Sequence, residues 1–419
     1  MTGAAAAPTL EEDPVAALAE GVLDGSRPLE ALFVVDCDPL HTSPAGGLLR
    51  EALDRIPLVV SMTPFRDETA AAAGFVLPSP VFLEAWQATT TPAGVPFSVL
   101  GLGEPVVDPP LFDTRHPADV LLELARHLGG NSAAALPWEG YDAYLKHRLE
   151  GLAVSGQGAV ISSSFEESWV HYMEERGWRF SKRRDTDDFY RELAEQAAWW
   201  NPVRGTGNWE RLFRTPSGRF EFYSQNLARR LQRLGAGSDA EAFSRGAASL
   251  GLAAPVDEAC LPHFEPPSGE GEGDLWLSVF RPITARGRLG IASPMVLEMF
   301  GYPFLDGWRT WAEIAPETAH ELHLEDGDEV QVRSERGEVE AVVMIRPGTS
   351  PGIVHLPAGL GHREHVGAAG GIGANPLDLV ADVRDPLSGA WSPNATRVTL
   401  RLLRRRDHGG PPPAHGGHG

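Results

Sequence analysis

The sequence predicts an α/β protein made of a doubly wound layer domain followed by a small β-barrel. Two observations support this prediction. The first part of the chain alternates short apolar runs with helical patterns, which is typical of strands and helices stacked in layers. From residue 272 onward the chain instead shows several short strands with few helices, which is typical of a small closed barrel.

The layer domain is predicted over residues 26–110. Strand and helix alternate through the segments ALFVVD (31–36), SPAGGLLREALDRI (43–56), PLVVSMTPF (57–65), DETAAAAG (67–74) and FVLPSP (75–80). Ligands of such sheets bind beyond the carboxyl ends of the strands, where this chain carries Asp36 and Asp38. The chain has no G-x-G-x-x-G, so an ordinary nicotinamide fingerprint is absent.

The remaining boundaries follow from composition. We expect a flexible N-terminus over 1–25, a mixed α/β return segment over 111–265, the barrel domain over 272–405 and a disordered tail over 406–419. The polar Gly/Pro stretch EPPSGEGEGD separates the return segment from the barrel.

Four aromatic residues are predicted as core anchors. Phe220 and Phe222 alternate after a Ser-Gly turn, so we expect them on one face of a strand. On that expectation, Phe222→Ala would cost about 3–5 kcal/mol if the side chain is buried. Trp138 and Trp276 are predicted to be buried as well.

The barrel strands follow from alternation. A hairpin is predicted around Arg336–Gly337, because Val330 and Val332 alternate before the turn and several apolar residues alternate after it. Further strands are predicted at LWLSVF (275–280), GIVHLPAG (352–359) and RVTLRLL (397–403).

Composition excludes several classes of function. The chain has 419 residues and a formal net charge of −21, which disfavours nucleic acid and anionic membrane surfaces as partners. We expect no signal peptide and no membrane span, since the N-terminus lacks a charged n-region and no apolar run is long enough.

Metal-ligand patterns are weak. Cys37 and Cys260 are too few for a four-cysteine iron–sulfur or zinc site, and both are expected to be small buried residues. His320 and His323 lie one turn apart but lack a third ligand. The sequence therefore predicts no metal ligands in this chain.

No catalytic residue is predicted either. Asp67 and Glu68 suggest two alternatives, a carboxylate pair for acid–base chemistry or acids attracted to a helix N-terminus, of which the second is favoured.

The glycine-rich stretch from Ala358 to Leu379 needs a different explanation. Glycine lets the backbone approach a ligand closely, and His362, Arg363 and Asn375 add donors among the glycines. A second stretch, RPITARGRLGIASP (281–294), concentrates arginines around a glycine. Two interpretations remain open, namely a phosphate-binding pair of loops or a glycine-rich surface that packs against a partner.

Four segments, in order, resemble the C-terminal half of the molybdopterin-dependent oxidoreductases, the dimethyl sulfoxide reductase superfamily. They are LFVVDCDPLHTSP (32–44), MTPFRDETAAAAGFVLPSPVFLEAW (62–86), TPSGRFEFYS (215–224) and the stretch EIAPETAHEL…IVHLPAG (313–359).

The resemblance implies that the last domain is a double-psi β-barrel of the aspartate-decarboxylase-like type. Its loops would wrap the pterin and dinucleotide arms of a molybdopterin guanine dinucleotide. The implied cofactor-binding residues are Asp36, Asp38, Arg281, Thr284, Gly287, Arg288, Gly361, His362 and Asn375.

The chain also departs from the family pattern. The family's N-terminal half, with its cluster domain and its ligand to molybdenum, has no counterpart here, so no iron–sulfur cluster is expected in this chain. Asp38 stands where the family has asparagine, and a carboxylate there would repel the phosphates of the cofactor. Retention of the cofactor is therefore left open.

Two hypotheses about function follow. The last loop resembles the molybdopterin-like subunits of alternative complex III and quinone reductase complexes. One hypothesis is a subunit of a respiratory electron-transfer complex that holds the guanine dinucleotide arms. The alternative is a cofactor-free scaffold that docks an iron–sulfur subunit in a membrane quinone-linked complex.

Both hypotheses imply an iron–sulfur subunit or the missing N-terminal half as partner, together with a quinone-binding membrane subunit. The complex would be membrane-associated, on either the periplasmic or the cytoplasmic face. Substrate and enzymatic activity are not decided by the sequence.

Overall fold

A computed structural model describes residues 14–92, 97–155, 157–160, 169, 172–173, 175–176, 185–201, 213, 215, 217–252, 254, 258–264, 269, 271–282, 292–301, 309–364, 366–385, 391–392 and 394–406. The chain divides into two compact units. The first comprises Met1–Ser61, Phe65–Val76 and Glu221–Gly419, and the second comprises Met62–Pro64 and Leu77–Phe220. Among the described residues, no helix has both the length and the apolar character needed to cross a membrane.

A three-stranded α/β layer opens the first unit, and the division between units passes through the ends of its second and third strands. Its strands have the order β1-β2-β3. Its elements are α1 (Pro14–Leu23), β1 (Ala31–Val35), α2 (Pro39–Thr42), α3 (Gly46–Leu53), β2 (Leu58–Thr63), α4 (Glu68–Ala72) and β3 (Phe75–Pro78). Helix α1 forms within the N-terminus expected to be flexible, because its small apolar residues pack with those of α3 into one core cluster.

The outer strands of this layer are more exposed than predicted. The apolar run at residues 31–36 predicts a buried parallel strand, yet Phe33 and Val35 of β1 are 37% and 38% exposed. All four residues of β3 are exposed. Both strands are edges of the described sheet, whereas the central β2 is buried along almost its whole length.

The second unit is a four-stranded antiparallel sheet with helices. Its strands have the order β4-β5-β7-β6. Its elements are β4 (Gln87–Thr90), β5 (Ser98–Gly103), α5 (Pro117–Leu128), α6 (Gly130–Ala135), α7 (Tyr141–Ser155), β6 (Ala159–Val160), α8 (Thr186–Gln196) and β7 (Ala198–Asn201). Helices α7 and α8 bury Leu145, Leu149 and Leu193 against Trp199 of β7 in one core.

A helical pair and a closed six-stranded barrel complete the first unit. The pair is α9 (Gln225–Leu234) and α10 (Ala240–Ser249). The barrel elements are β8 (Leu275–Phe280), α11 (Pro294–Gly301), β9 (Trp311–Ile314), α12 (Pro316–Glu321), β10 (Glu329–Arg333), β11 (Glu338–Ile345), β12 (Ile353–Pro357) and β13 (Arg397–Arg404).

The barrel closes in the order β10-β11-β9-β12-β8-β13, with both parallel and antiparallel neighbours. The predicted hairpin is present, with Arg333 opposite Glu338 and the Ser334 N–H donating to the Gly337 carbonyl. Val330, Val332 and Val343 point into the core and are fully buried, as their alternation requires.

The aromatic prediction was wrong at two positions. Phe220 and Phe222 are 65% and 69% exposed, and they lie in an irregular segment rather than a strand. The Thr215 hydroxyl donates to the Arg219 carbonyl, which bends the chain locally just before α9 begins. Because Phe222 is exposed, we do not expect Phe222→Ala to cost the free energy of unfolding that a buried phenylalanine would.

The two tryptophans are half-buried rather than fully buried. Trp138 packs edge-on against Tyr144. Trp276 carries the guanidinium of Arg397 over its ring at 3.7 Å. Cys37 is exposed, contrary to expectation, because it lies in the turn after an edge strand, while Cys260 is buried.

Candidate functional site

A buried group of polar side chains, here called the polar cluster, joins the α/β layer to the glycine-rich loop of the barrel within the first unit. Its members are Asp38, His41, Glu68, Thr69, His362 and Asn375. Each is at most 8% exposed. Buried polar groups need partners, so their contacts show what this region does.

The layer supplies its members from the starts of two helices. Asp38 directly precedes α2, His41 lies on that helix, and Glu68 and Thr69 open α4. Asp67 caps α4, because its carboxylate accepts the Ala70 N–H at 2.9 Å. The helix-terminus interpretation thus holds for Asp67 but does not account for Glu68, whose carboxylate makes contacts with the barrel loop.

The barrel loop supplies the other members through close packing of its own backbone. Gly361 has φ +87°, and a Cβ there would lie 2.1 Å from the backbone nitrogen of Asn375. The two arms of the loop are the segments around Gly361 and around Asn375. Only glycine fits at a position where the arms come this close. Thr310 anchors the second arm, accepting from the Ala374 N–H at 2.8 Å and donating to the Ala374 carbonyl at 3.1 Å.

Glu68 is the link between the two parts. One carboxylate oxygen lies 2.8 Å from Nδ1 of His362, and the other accepts the Arg363 N–H at 2.8 Å. Burial alone would raise the pKa of Glu68, but hydrogen bonds from His362 and Asp38 and the charge of His362 hold it well below its usual range. Glu68 is therefore ionised at neutral pH.

Asp38 keeps its proton more strongly than Glu68 does. Its Oδ1 accepts from the Thr69 hydroxyl at 2.6 Å and from the Thr69 N–H at 3.1 Å. No N–H or hydroxyl donor of the described residues reaches its Oδ2. Burial and the neighbouring carboxyls of Glu68 and Asp67 outweigh the Thr69 hydrogen bond and together raise the pKa of Asp38 to about 7. A hydrogen bond between the Asp38 and Glu68 carboxyls thus requires a proton on Asp38.

His41 stacks on His362. Their ring centroids are 3.6 Å apart with an interplanar angle of 14°. Burial, followed by the charge of His362, lowers the pKa of His41 to about 4, so its imidazole is neutral at pH 7. Its Nε2 is buried with no hydrogen-bond partner, while its backbone carbonyl accepts from the Asn375 amide at 2.9 Å.

The structure brings together four of the residues predicted from sequence, namely Asp38, Gly361, His362 and Asn375. Asp36 lies outside the cluster, exposed and with φ +48°. Arg281 is also exposed. The predicted residues Thr284, Gly287 and Arg288 lie outside the described part of the chain.

Sequence reasoning missed His41, Glu68 and Thr69. Two of them lie in DETA, a segment already singled out, and His41 lies in DPLHTSP. No local pattern pairs Glu68 with a histidine 294 positions later. The available signal was that DETA and DPLHTSP both lie in segments that resemble the family.

A separate cavity of about 320 Å³ opens in the barrel wall beside the second arm of the loop. Arg309, Thr310, Glu340 and Arg404 line it, with Glu329 between the two arginines. Glu329 pairs with Arg309 and accepts from Arg404 Nε at 3.0 Å. The cavity therefore offers guanidinium groups that are already partly neutralised.

Comparison with known proteins places these features in a family. The family described as "Molydopterin dinucleotide binding domain" matches residues 304–397. The molybdopterin-containing subunit of arsenate respiratory reductase from Shewanella sp. strain ANA-3 is 25% identical over 83% of this chain and 42% of its own. The molybdopterin-binding-like subunit of menaquinone reductase from Nitratidesulfovibrio vulgaris is 35% identical over 24% of this chain and 14% of its own.

Among solved structures, acetylene hydratase from Pelobacter acetylenicus is similar in fold. The TM-score is 0.58 at 18% identity, over 93% of this chain and 46% of that one. The chain spans less than half the length of this structure. It also spans less than half the length of the arsenate reductase subunit. The matched barrel domain and the named relatives support the molybdopterin oxidoreductase superfamily for this chain, and the solved structure shows a similar fold.

Proposed function

We propose that the chain is part of a molybdopterin oxidoreductase-like subunit of a respiratory electron-transfer complex, and that its own role there is that of a scaffold. The observation that supports this proposal is the polar cluster. Two loop residues expected to line a cofactor arm instead contact the α/β layer, His362 through the Glu68 carboxylate and Asn375 through the His41 backbone carbonyl.

The cluster does not fit a pyrophosphate. Phosphate sites supply backbone N–H groups and cationic side chains. Here the Arg363 N–H already donates to Glu68, and the exposed Arg363 side chain pairs with Asp378. The buried Glu68 carboxylate is ionised and would repel a phosphate.

We also propose the finer features of the fold that family membership supports. These are double-psi connectivity for the six-stranded barrel and an origin of the three-stranded layer in a doubly wound sheet. The proposed domain limits stay at 26–110, 111–265 and 272–405.

A polypeptide partner or a further segment is part of the proposal. The chain spans 42% of the arsenate reductase subunit, so more than half of such a subunit has no counterpart here. On the edge strands of the layer, Phe33, Val35, Phe75 and Val76 are each more than a third exposed. Apolar surface of this kind suits a protein interface. We propose that the missing N-terminal half or an iron–sulfur subunit covers it, in a complex linked to a membrane quinone site.

A second candidate function is binding of the dinucleotide arms of molybdopterin guanine dinucleotide. It is favoured by the family match over residues 304–397 and by the arginine-lined cavity beside that loop. Arg281 and Arg288 would be additional phosphate ligands. When bound, the cofactor with its metal would supply two-electron chemistry. This chain would supply only binding contacts.

Metal and pterin analysis of the purified native complex separates the two candidates. A scaffold predicts neither molybdenum nor tungsten, and no pterin released on oxidation. Stoichiometric pterin per chain would establish the dinucleotide-binding role and overturn the scaffold.

Calorimetry with GDP, a guanine pyrophosphate probe, gives an independent test on the chain. Binding that is weakened by about 1.5–3 kcal/mol in Arg288→Ala would support a phosphate contact. Arg401→Ala is the matched control, since Arg401 is exposed on β13. No heat from wild type at any GDP concentration agrees with the scaffold.

A further inference from the structure

We propose that His41, Glu68 and His362 form a binding site for a divalent transition-metal cation of the zinc class. The site would clamp the barrel loop to the α/β layer. This inference goes beyond the proposed function, because it concerns the internal contacts of the first unit and not a redox cofactor.

The three side chains already converge. Each offers one ligand atom, and the three atoms lie within 4.8 Å of one another. Ligand atoms about 2.0–2.2 Å from a tetrahedral zinc ion lie roughly 3.3 Å apart. The ligand atoms would have to draw together, and the stacked rings of His41 and His362 would have to turn out of their parallel arrangement so that both nitrogen lone pairs point at one ion.

An unsatisfied atom provides an independent indication. His41 is 5% exposed, and its Nε2 has no hydrogen-bond partner. An imidazole nitrogen buried without a partner costs about 1–3 kcal/mol. Coordination would satisfy this nitrogen without any rearrangement of the backbone. The backbone carbonyl of His41 is meanwhile fixed by the Asn375 amide.

The ligand types of the site fit a transition-metal cation. Glu68 offers a carboxylate oxygen, and His41 and His362 each offer an imidazole nitrogen. Two imidazoles with one carboxylate select zinc, iron(II), cobalt or nickel over magnesium and calcium, which prefer oxygen ligands.

Burial points to a structural role. Glu68 is 7% and His362 3% exposed, so the site has little access for a substrate. A metal there would link α2, α4 and the loop that follows β12. Binding to the folded chain alone would raise its stability by mass action.

The test must remove histidines that bind metal adventitiously. His408, His415 and His418 lie in the C-terminal tail, so the full-length chain is first made with all three replaced by alanine. This protein is stripped with EDTA and titrated with zinc chloride against a chromophoric chelator. We expect one zinc ion per chain and a higher melting temperature, with no such effect from magnesium.

Ligand variants locate the ion. His41→Ala, Glu68→Gln and His362→Ala should each weaken zinc binding by about 100-fold or more. His320→Ala should leave it unchanged, because His320 is exposed on α12. Zinc affinity that is unchanged in all three ligand variants would overturn the proposal.

Cobalt(II) spectroscopy tests the proposal without ligand substitutions, so it applies even if the variants fail to fold. The tail-substituted protein loaded with cobalt should show the intense visible absorption of tetrahedral nitrogen and oxygen coordination. The absence of both zinc stoichiometry and this spectrum would mean that the cluster is a hydrogen-bonded group without a metal.

Discussion

Two aspartates of the first unit, Asp38 and Asp328, are equally hidden from solvent, yet their pKa values are shifted in opposite directions. Asp328 is 0% and Asp38 is 2% exposed. At Asp328, burial raises the pKa, but N–H groups of Glu325 and Arg406 and the guanidinium of Arg405 hold it below its usual range. At Asp38, burial and the neighbouring carboxyls together raise the pKa to about 7.

The difference lies in the supply of donors. Asp328 accepts from the Glu325 N–H at 2.9 Å, the Arg406 N–H at 3.0 Å and Arg405 Nη1 at 2.7 Å. Among the described residues, Asp38 accepts only from the Thr69 hydroxyl and N–H. Exposure therefore does not decide ionisation by itself, because hydrogen-bond donors and neighbouring charges also act on each carboxyl group. The end of the barrel at Asp328 holds its carboxylate ionised, whereas Asp38 keeps its proton to a higher pH.

The largest expected effect is at Glu68. Glu68→Ala should lower the free energy of unfolding by about 3–5 kcal/mol, because it leaves His362 and the Arg363 N–H without their buried partner. Urea unfolding of metal-free protein at pH 7 measures the change. Glu317→Ala, at an exposed position in the first turn of α12, is the control. Equal stabilities of the two variants would contradict the central place given to Glu68.

The next effect is at Asp328 and depends on pH. Asp328→Asn should cost about 1.5–3 kcal/mol at pH 7, where wild type has three hydrogen bonds to a charged carboxylate. The folded-state pKa is lowered from 3.8, so this contribution is present above pH 3.8 and is lost as pH falls through the folded-state value.

Unfolding curves of wild type and Asp328→Asn at pH 7, 5 and 3 test the sign. Their separation should be constant from pH 7 to 5 and shrink toward pH 3. A separation that grows on acidification would be the wrong sign for an ionised Asp328.

A smaller effect of opposite sign is expected at Asp38. Its folded-state pKa is raised from 3.8 to about 7, so its contribution to stability is complete below pH 3.8 and is lost as pH rises through 7. An amide mimics the protonated carboxyl. In metal-free protein, Asp38→Asn should already be stabilising relative to wild type at pH 5, and at pH 8 the gain should be larger by about 1 kcal/mol or more.

Thermal unfolding at the two pH values checks this prediction, with Asp36→Asn as the control at the exposed neighbouring aspartate. If the stability difference between Asp38→Asn and wild type moved against the variant from pH 5 to pH 8, Asp38 would be ionised in the folded protein over that range.

The smallest effect separates the donors of Asp328. Arg405→Ala should cost only about 0.5–1 kcal/mol, because the Arg405 side chain is 49% exposed and the two backbone N–H donors remain. Adding salt should reduce this cost further. A cost as large as that of Asp328→Asn would mean that the guanidinium, and not the backbone, keeps the carboxylate ionised.

The sequence by itself determined the local elements and the family. Alternating apolar residues predicted the strands and the hairpin of the barrel, because period-two patterns record which side chains face a core. Ordered segments from residue 32 to residue 359 pointed to the superfamily that the comparisons confirm.

Local patterns failed where a segment's surroundings decide the outcome. Phe220 and Phe222 alternate as a strand would, but both lie in an irregular segment and both are exposed. Alternation shows that a face is apolar, and it does not show that anything covers that face.

Only the tertiary structure decided the polar cluster. Glu68 and His362 lie 294 positions apart, and His41 and Asn375 lie 334 apart. Such contacts form only when the barrel loop packs against the layer, so no window of neighbouring residues contains both partners. The pKa shifts of Asp38 and Asp328 have the same origin, because each depends on which donors and charges the folded chain brings to a buried carboxyl group.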